Sequence, residues 1–468
     1  CFRWRQGNWR DQGCAMKKLI AFFAALLVLP ITPAQAADNR IIDIVALTWP
    51  GASAPSVSVN DVKNAINGEV NTRWNNLAQN WPGGINFQVG TVVTTPIAMN
   101  SPLICDGSES SVYMRDARRA FYTKYPMADY SSHYLLLLSP APRPNCVWEG
   151  KSLIGDAKTP GGLVTLKNNA SPFVITHELG HTLGLGHTNL IRCPSNGADG
   201  AWANCNAIEY GGAVDVMSNV DVKGDLSTYH QWRMGIIQDA DVKQVWKTET
   251  VELKYTNSPS GTRAIFVRDG KSTYWIEYRK AADGYTPGLA IYRTDPPPAS
   301  SVISPNTSDA VEAPNQAVTS DVWLLNLDSF RYTSTATTSG SPTLAVGRTF
   351  LDYSGNISVT ASLKDSNTMA VTVTRRVDTV APPTPVLTNS ANWISPETEL
   401  ITAGYDDADS VIDKFQITTN DKVIDVAGSE SSSWFSTYLS PLNPIKSLHV
   451  KDLPEGTYSL KVRGIDIY

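Results

Sequence analysis

Eleven consecutive residues, His177-Glu178-Leu179-Gly180-His181-Thr182-Leu183-Gly184-Leu185-Gly186-His187, constrain this chain more than the rest of it together. Side chains four apart on a helix share a face, so His177 and His181 point at one centre. Glu178 follows the first histidine and sits beside that centre, placed to take a proton from a water held there. A helix running straight on would carry His187 away. Gly184 is able to take the left-handed conformation that ends a helix, and Gly186 leaves the return path open. The third imidazole then folds back onto the same point. Three nitrogen donors leave one tetrahedral position for water, the arrangement of a catalytic rather than a structural Zn2+ site. The chain holds 6 histidines in 468 residues, and half of them fall in this stretch, a clustering that an ordinary core does not explain.

The pattern H-E-x-x-H-x-x-G-x-x-H is the metzincin signature, which is accompanied downstream by a methionine-containing turn. Val214-Asp215-Val216-Met217-Ser218-Asn219 supplies one, followed by Tyr229-His230-Gln231-Trp232-Arg233-Met234-Gly235. With Tyr210-Gly211-Gly212 ahead of Asp-Val-Met-Ser, the segment from about residue 38 to 245 resembles the gametolysin-like peptidases within the metzincins. That resemblance implies an α+β catalytic domain, with helices over a mixed sheet that ends in the active-site helix. It also implies Zn2+ on His177, His181 and His187, Glu178 as general base, and Met217 as a non-ligating floor beneath the metal. In other metzincins a tyrosine near the Met-turn stabilises the oxyanion. Here the residue two after Met217 is Asn219, so no such role is assigned, and Tyr210 and Tyr229 are only alternatives to it. His133 and His449 lie outside the motif and are read as structural, while His230 either hydrogen-bonds within the site or, the favoured reading, is a structural histidine of the following helix.

The rest of the chain divides by texture. Residues 1–15 carry basic residues and tryptophans without periodicity and read as upstream translation rather than native protein. Met16-Lys17-Lys18, the apolar run Leu19 to Leu29 and Ala34-Gln35-Ala36 read as a secretory signal peptide over 16–36, resembling Gram-negative bacterial export. The run is short for a permanent membrane anchor, and no cysteine follows the cleavage motif to carry a lipid. The peptidase domain is assigned to 37–247. Arg40 to Leu47 is its first buried strand and Val59 to Asn80 a helix capped by Ser58 or Asn60. Strands follow near Ile85 to Val93, His133 to Leu138, Trp148 to Ile154 and Leu163 to Leu166, with a helix from about Ser110 to Tyr125. Ser171-Pro172 opens the motif helix with a cap and a first-turn proline. The glycine-bounded stretch Gly150 to Gly155 is a candidate sheet edge for an extended peptide, and equally an ordinary edge strand.

From about Val251 the chain alternates in the manner of antiparallel strands, which assigns 248–376 to a β-rich domain. Residues 377–386 are a proline-rich linker. Residues 387–468 read as an immunoglobulin-like or fibronectin-like domain whose closing strand is missing. Its cluster Asp406-Asp407-Ala408-Asp409 is either a Ca2+ site or a solvated turn, and its spacing matches no EF-hand loop. Beyond the signal segment, Cys105, Cys146, Cys193 and Cys205 suit an exported, disulfide-bonded chain. The favoured pairs are Cys193–Cys205 and Cys105–Cys146, the rival being a cysteine that blocks the metal. A first strand so close to the cleavage motif leaves no room for a cysteine-switch prodomain.

A net charge of −5, with 39 basic and 44 acidic residues and no basic tract, argues against a nucleic-acid partner. The expectation is therefore a secreted zinc endopeptidase acting on extracellular protein or peptide, with C-terminal β domains that could reach a cell surface or matrix. An adhesin with a vestigial metal centre is the rival, and an intact Glu178 speaks against it. A zinc hydrolase acting on a non-peptide bond is a third reading.

Overall fold

The computed structural model describes residues 38–377 with breaks at 54, 104–106, 141–147, 195–197, 213, 219–224, 270–271, 281–286, 296, 298–301, 304–320 and 328–341. Beyond them it describes 379 and a set of strands between 386 and 466. The architecture is mixed α/β, mostly sheet with few helices. Among the described residues no helix is long and apolar enough to cross a membrane. The proposed upstream segment and signal peptide, Cys105, Cys146, Asn219, the aspartates at 406, 407 and 409, and most of the linker lie outside the described residues.

The first sheet is built from β1 (Asp38–Thr48), β2 (Ile85–Ala98), β3 (Tyr134–Ser139), β4 (Gly150–Ser152) and β5 (Gly162–Lys167). Its order is β2-β1-β3-β5-β4, with every pair parallel except β4 against β5. β3 reads Tyr-Leu-Leu-Leu-Leu-Ser and is buried at all six positions, as a strand covered on both faces must be. Helices α1 (Val59–Ala65) and α2 (Asn71–Leu77) run together through a π-helical turn at Ile66–Val70. Ser58 and Asp61 form the capping box that starts them. Val62, Ile66, Val70 and Trp74 face the sheet with no exposed surface. Helix α3 (Gly107–Lys124) covers the opposite face through Met114, Ala117 and Phe121. The edge strand β4 is shorter than the stretch 148–154 read from sequence, because only three residues keep register with β5.

Helix α4 (Pro172–Thr182) carries the histidine motif, with Pro172 in its first turn. Ser171 stands at the cap position, but its side chain accepts no capping hydrogen bond. The chain then enters β6 (Thr188–Arg192), β7 (Asn206–Ile208), the short α5 (Thr228–Met234), β8 (Val242–Val245) and β9 (Glu249–Lys254). A second large sheet forms here, and it uses strands from both sides of residue 247. To β6, β7 and β8 it adds β10 (Ala264–Asp269), β11 (Ser272–Arg279), β12 (Gly288–Arg293), β13 (Val302–Ile303), β14 (Val322–Leu324) and β15 (Leu344–Ala345). β14 pairs in parallel with β6, Val322 opposite Thr188.

The alternation seen in β10–β12 does not divide core from solvent, since all three strands are buried throughout. Alternate residues enter two different cores. Phe266, Trp275, Ala290 and Tyr292 join the core beneath α4 and α5. Ile265, Val267, Tyr274, Ile276 and Ile291 pack toward a third sheet. That sheet holds β16 (Thr349–Leu351), β17 (Ile357–Asp365), β18 (Thr368–Arg375) and β9 in the order β16-β17-β18-β9. The described strands after residue 385 form an antiparallel four-stranded sheet and an antiparallel three-stranded one.

Candidate metal centre

The helix break works as the motif requires. Gly184 takes φ +89°. Its amide donates to the His181 carbonyl at 2.9 Å, and the Leu185 amide reaches back to the Gly180 carbonyl at 3.1 Å. These two bonds make a Schellman turn, which satisfies carbonyls that the helix end leaves open. His187 emerges from it and turns back toward α4. One ligating atom from each of His177, His181 and His187 lies within 4.8 Å of the others, and these three residues are able to hold a metal ion.

Each ring is held through its Nδ1. The His177 Nδ1 meets the Val216 carbonyl at 2.8 Å and the His181 Nδ1 meets the Leu185 carbonyl at 2.8 Å. A carbonyl only accepts, so in both rings the proton sits on Nδ1 and Nε2 keeps its lone pair. The His187 Nδ1 meets Glu209 Oε1 at 3.0 Å, the carboxylate–histidine contact that orients metal ligands. The Nε2 atoms of His181 and His187 stand 3.1 Å apart. Two ligands about 2.0–2.1 Å from a tetrahedral zinc would be about 3.3 Å apart. Nitrogens facing each other at that distance share either a proton or a cation. The donor set therefore fits a divalent metal.

The electrostatics favour neutral donors at two positions. Burial and the neighbouring His187 hold His177 down to about 4. The same two causes, in the same order, hold His181 well below the usual range. Burial also disfavours the charged form of His187, but the hydrogen bond and charge of Glu209 outweigh it and raise the group overall.

Glu178 lies under the sheet edge. The Ser152 hydroxyl donates to its Oε2 at 2.6 Å, from the last residue of β4. A Cβ on Gly150 would fall 2.6 Å from Glu178 Oε1, so the missing side chain makes the carboxylate's space. Met217 is fully buried below the helix. Its Sδ sits 2.4 Å from where a Cβ on Gly180 would be, which gives the central glycine of the motif its packing reason.

Four carboxylates, the Glu209 just described among them, and the Asn189 amide carry no signal in the sequence. Asp215 has no exposed surface and accepts from the Met217 amide at 2.9 Å, the Thr188 hydroxyl at 2.7 Å, the Ser227 amide at 2.9 Å and His230 Nδ1 at 3.1 Å. Burial opposes its ionisation, yet His230 and these donors hold it below the usual carboxylate range. Asp321 accepts from the His187 amide at 2.7 Å and from Asn189 Nδ2 at 3.1 Å. Burial pushes it up to about 6, against the pull of His187. Glu277 is the fourth, buried beside α5. The polar residues flanking the Met-turn offered no periodic signal, because their partners lie far away in sequence.

The two tyrosine candidates part company. The Tyr210 ring lies 3.9 Å from the His187 ring, centroid to centroid. Its φ of +60° is a left-handed conformation that non-glycine residues adopt at some cost. Tyr229 is buried between Trp232 and Trp275 in the core. His133 pairs with buried Asp43 at 2.9 Å behind the first sheet, and His449 lies on a strand of the C-terminal four-stranded sheet. Cys193 and Cys205 form a disulfide that closes the loop after β6.

No family model matches the chain, and no curated protein does. Among solved structures, metalloproteinase-II from Bacteroides fragilis is 16% identical over 44% of this chain, with a TM-score of 0.26. The aligned part spans 55% of that enzyme, little more than half its length. Wild-type OgpA from Akkermansia muciniphila is 13% identical over 56% of this chain and 77% of its own, with a TM-score of 0.25. These likenesses are weak, and no family membership follows from them.

Proposed function

We propose that this protein is a secreted zinc-dependent endopeptidase of gametolysin-like type. The observation that carries the reading is the convergence of three imidazole nitrogens beside a carboxylate that lies against a sheet edge. When bound, zinc supplies Lewis acidity, lowering the pKa of a coordinated water to about 7 and polarising the scissile carbonyl. His177, His181 and His187 are its ligands in this reading. Glu178 takes the proton from the attacking water and delivers it to the leaving amine. Ser152 holds Oε2 of Glu178 and so fixes the carboxylate's orientation toward that water. The outer edge of β4 gives a substrate strand main-chain partners. Tyr210, rather than the core residue Tyr229, is the candidate for supporting the oxyanion. Secretion is supported by the sequence of 16–36 and by the disulfide. The strands after residue 385 are read as an immunoglobulin-like appendage, with a cell surface or matrix as its target.

The test is hydrolysis of casein and of a peptide library by the full chain, with and without a chelator, beside its Glu178→Ala variant. The expected result is stoichiometric zinc in both proteins and cleavage by the wild type alone. Cleavage by a zinc-loaded Glu178→Ala protein would remove the mechanism. Zinc binding without cleavage of any protein would favour an adhesin with a vestigial site.

A further inference from the structure

His187 is anchored differently from its two companions. His177 and His181 ride on one helix, whose backbone hydrogen bonds fix their spacing. His187 lies past the Schellman turn, where no helix or strand holds it. Its main chain is instead gripped from 134 residues downstream. The His187 amide donates to Asp321 Oδ1 at 2.7 Å, and the Val322 amide donates to the His187 carbonyl at 3.1 Å. The other oxygen of Asp321 accepts from Asn189 Nδ2 at 3.1 Å. Asn189 Oδ1 in turn accepts from the Tyr210 amide at 2.8 Å, one residue beyond the Glu209 that orients the His187 ring. A single carboxylate thus fixes the backbone of the third histidine and, through Asn189, the segment that aims its imidazole. Asn189 is 2% exposed, so water competes little for these bonds.

We propose that Asp321 is a positioning residue for the metal centre, setting where His187 Nε2 stands and so how tightly zinc is held. This rests on reading the three imidazoles as a zinc site. Its consequence is a reciprocal coupling. Docking of β14 beside β6 completes the donor set, and zinc bound to that set strengthens the docking.

The experiment uses the full chain, stripped with chelator and reconstituted with zinc alone. Zinc affinity is measured by competition with a chromophoric chelator, and thermal unfolding is followed with and without zinc. Asp321→Ala is expected to weaken zinc binding by roughly 10–100-fold, the usual consequence of losing a group behind a ligand. It should also shrink the zinc-induced rise in unfolding temperature. Asp321→Asn is expected in between, since its Oδ1 still accepts the His187 amide while its nitrogen opposes Asn189 Nδ2. Asn189→Ala should weaken binding as well, and adding it to Asp321→Ala should cost little more. Asp269→Asn removes a buried carboxylate that holds Ser354 and Asn356 instead, and should leave zinc affinity unchanged.

Zinc affinity within about twofold of wild type in both Asp321 variants would overturn the proposal, since the expected loss is several times larger. If Asp321→Ala does not fold, Asp321→Asn decides by the same criterion. A wild type that binds no zinc removes the zinc reading and this proposal together. A zinc-binding wild type with unmoved variants removes the proposal alone.

Discussion

At the scale of single residues, the groups of the candidate metal centre are held by short bonds to neighbours that sequence inspection does not pair with them. Ser152 is the plainest case. It sits two residues after Gly150 on β4, and its hydroxyl reaches Glu178 Oε2 at 2.6 Å. A carboxylate held in one rotamer is aligned for proton transfer without searching. Ser152→Ala is therefore expected to lower kcat about tenfold, the equivalent of roughly one hydrogen bond to a charged group, with little change in KM. Ser152→Thr should restore most of it. Steady-state kinetics decide, and a change confined to KM would remove the positioning role. The imidazoles carry a second expectation, for the metal-free protein. An unfolded histidine titrates near 6.5, whereas His177 stays neutral down to about 4 and His181 is also lowered. Between these limits the unfolded chain binds more protons at both sites than the folded chain does. These two sites therefore cost stability as the pH drops from about 6.5 toward 4. His187 and Asp321 are raised and act with the opposite sign, so the cost is read against a variant lacking the two lowered imidazoles, His177→Gln with His181→Gln. Urea unfolding of the stripped wild type and of this variant across the range measures it, and a wild type that lost no stability relative to the variant on acidification would refute the sign.

At the scale of elements, local signals read well and remote pairings did not. The Ser58 cap, one of the two the sequence offers, the first-turn proline of α4 and the Gly184 break each rest on residues within five positions of one another, so residue order exposes them. The apolar run of β3 announces a strand covered on both faces. The grip on His187 depends on a parallel register between β6 and β14, and the grip on Met217 depends on Asp215 meeting Ser227 and His230. Such registers follow from packing, which one sequence does not spell out. The clearest of these remote links runs from β11 to α5. Glu277 accepts from the Thr228 amide, the Thr228 hydroxyl, Arg279 Nε and the Tyr292 hydroxyl, all within 2.7 Å. Arg279 then donates to the Val214 and Asp225 carbonyls, on either side of the Met-turn. Both side chains are wholly buried. Arg279→Met would leave Glu277 as an uncompensated buried charge, at a cost of about 3–5 kcal/mol. The double variant Glu277→Gln with Arg279→Met should recover part of that. Equilibrium denaturation of the two proteins tests this, and a single variant costing under about 1 kcal/mol would show the pair to be dispensable.

At the scale of the whole molecule, the texture change near residue 248 divides the sequence at a place where the structure is continuous. Strands β6, β7 and β8 precede that point, and β10 to β15 follow it, yet all of them belong to one sheet. Leu190, Ile208 and Met217 share a core with Phe266, Trp275, Tyr292 and Leu324. Ile191 and Ala207 pack with Ile265, Ile291 and Trp323 in the next one. A chain ending at 247 would uncover both groups at once and would strip β6 of β14. It would also lose Asp321 from His187, and Glu277 with Arg279 from beneath the Met-turn. Exposed apolar surface on that scale drives aggregation. A protein spanning 38–247 is thus expected to be insoluble or to lack cooperative unfolding, and to hold no stoichiometric zinc. A protein spanning 38–377 keeps the first three sheets and should fold, bind zinc and unfold cooperatively. Expressing the two side by side, with circular dichroism, thermal unfolding and metal analysis, separates the alternatives. A soluble, zinc-loaded 38–247 protein would mean that the second sheet is an accessory, and that β6 and His187 find their places without it.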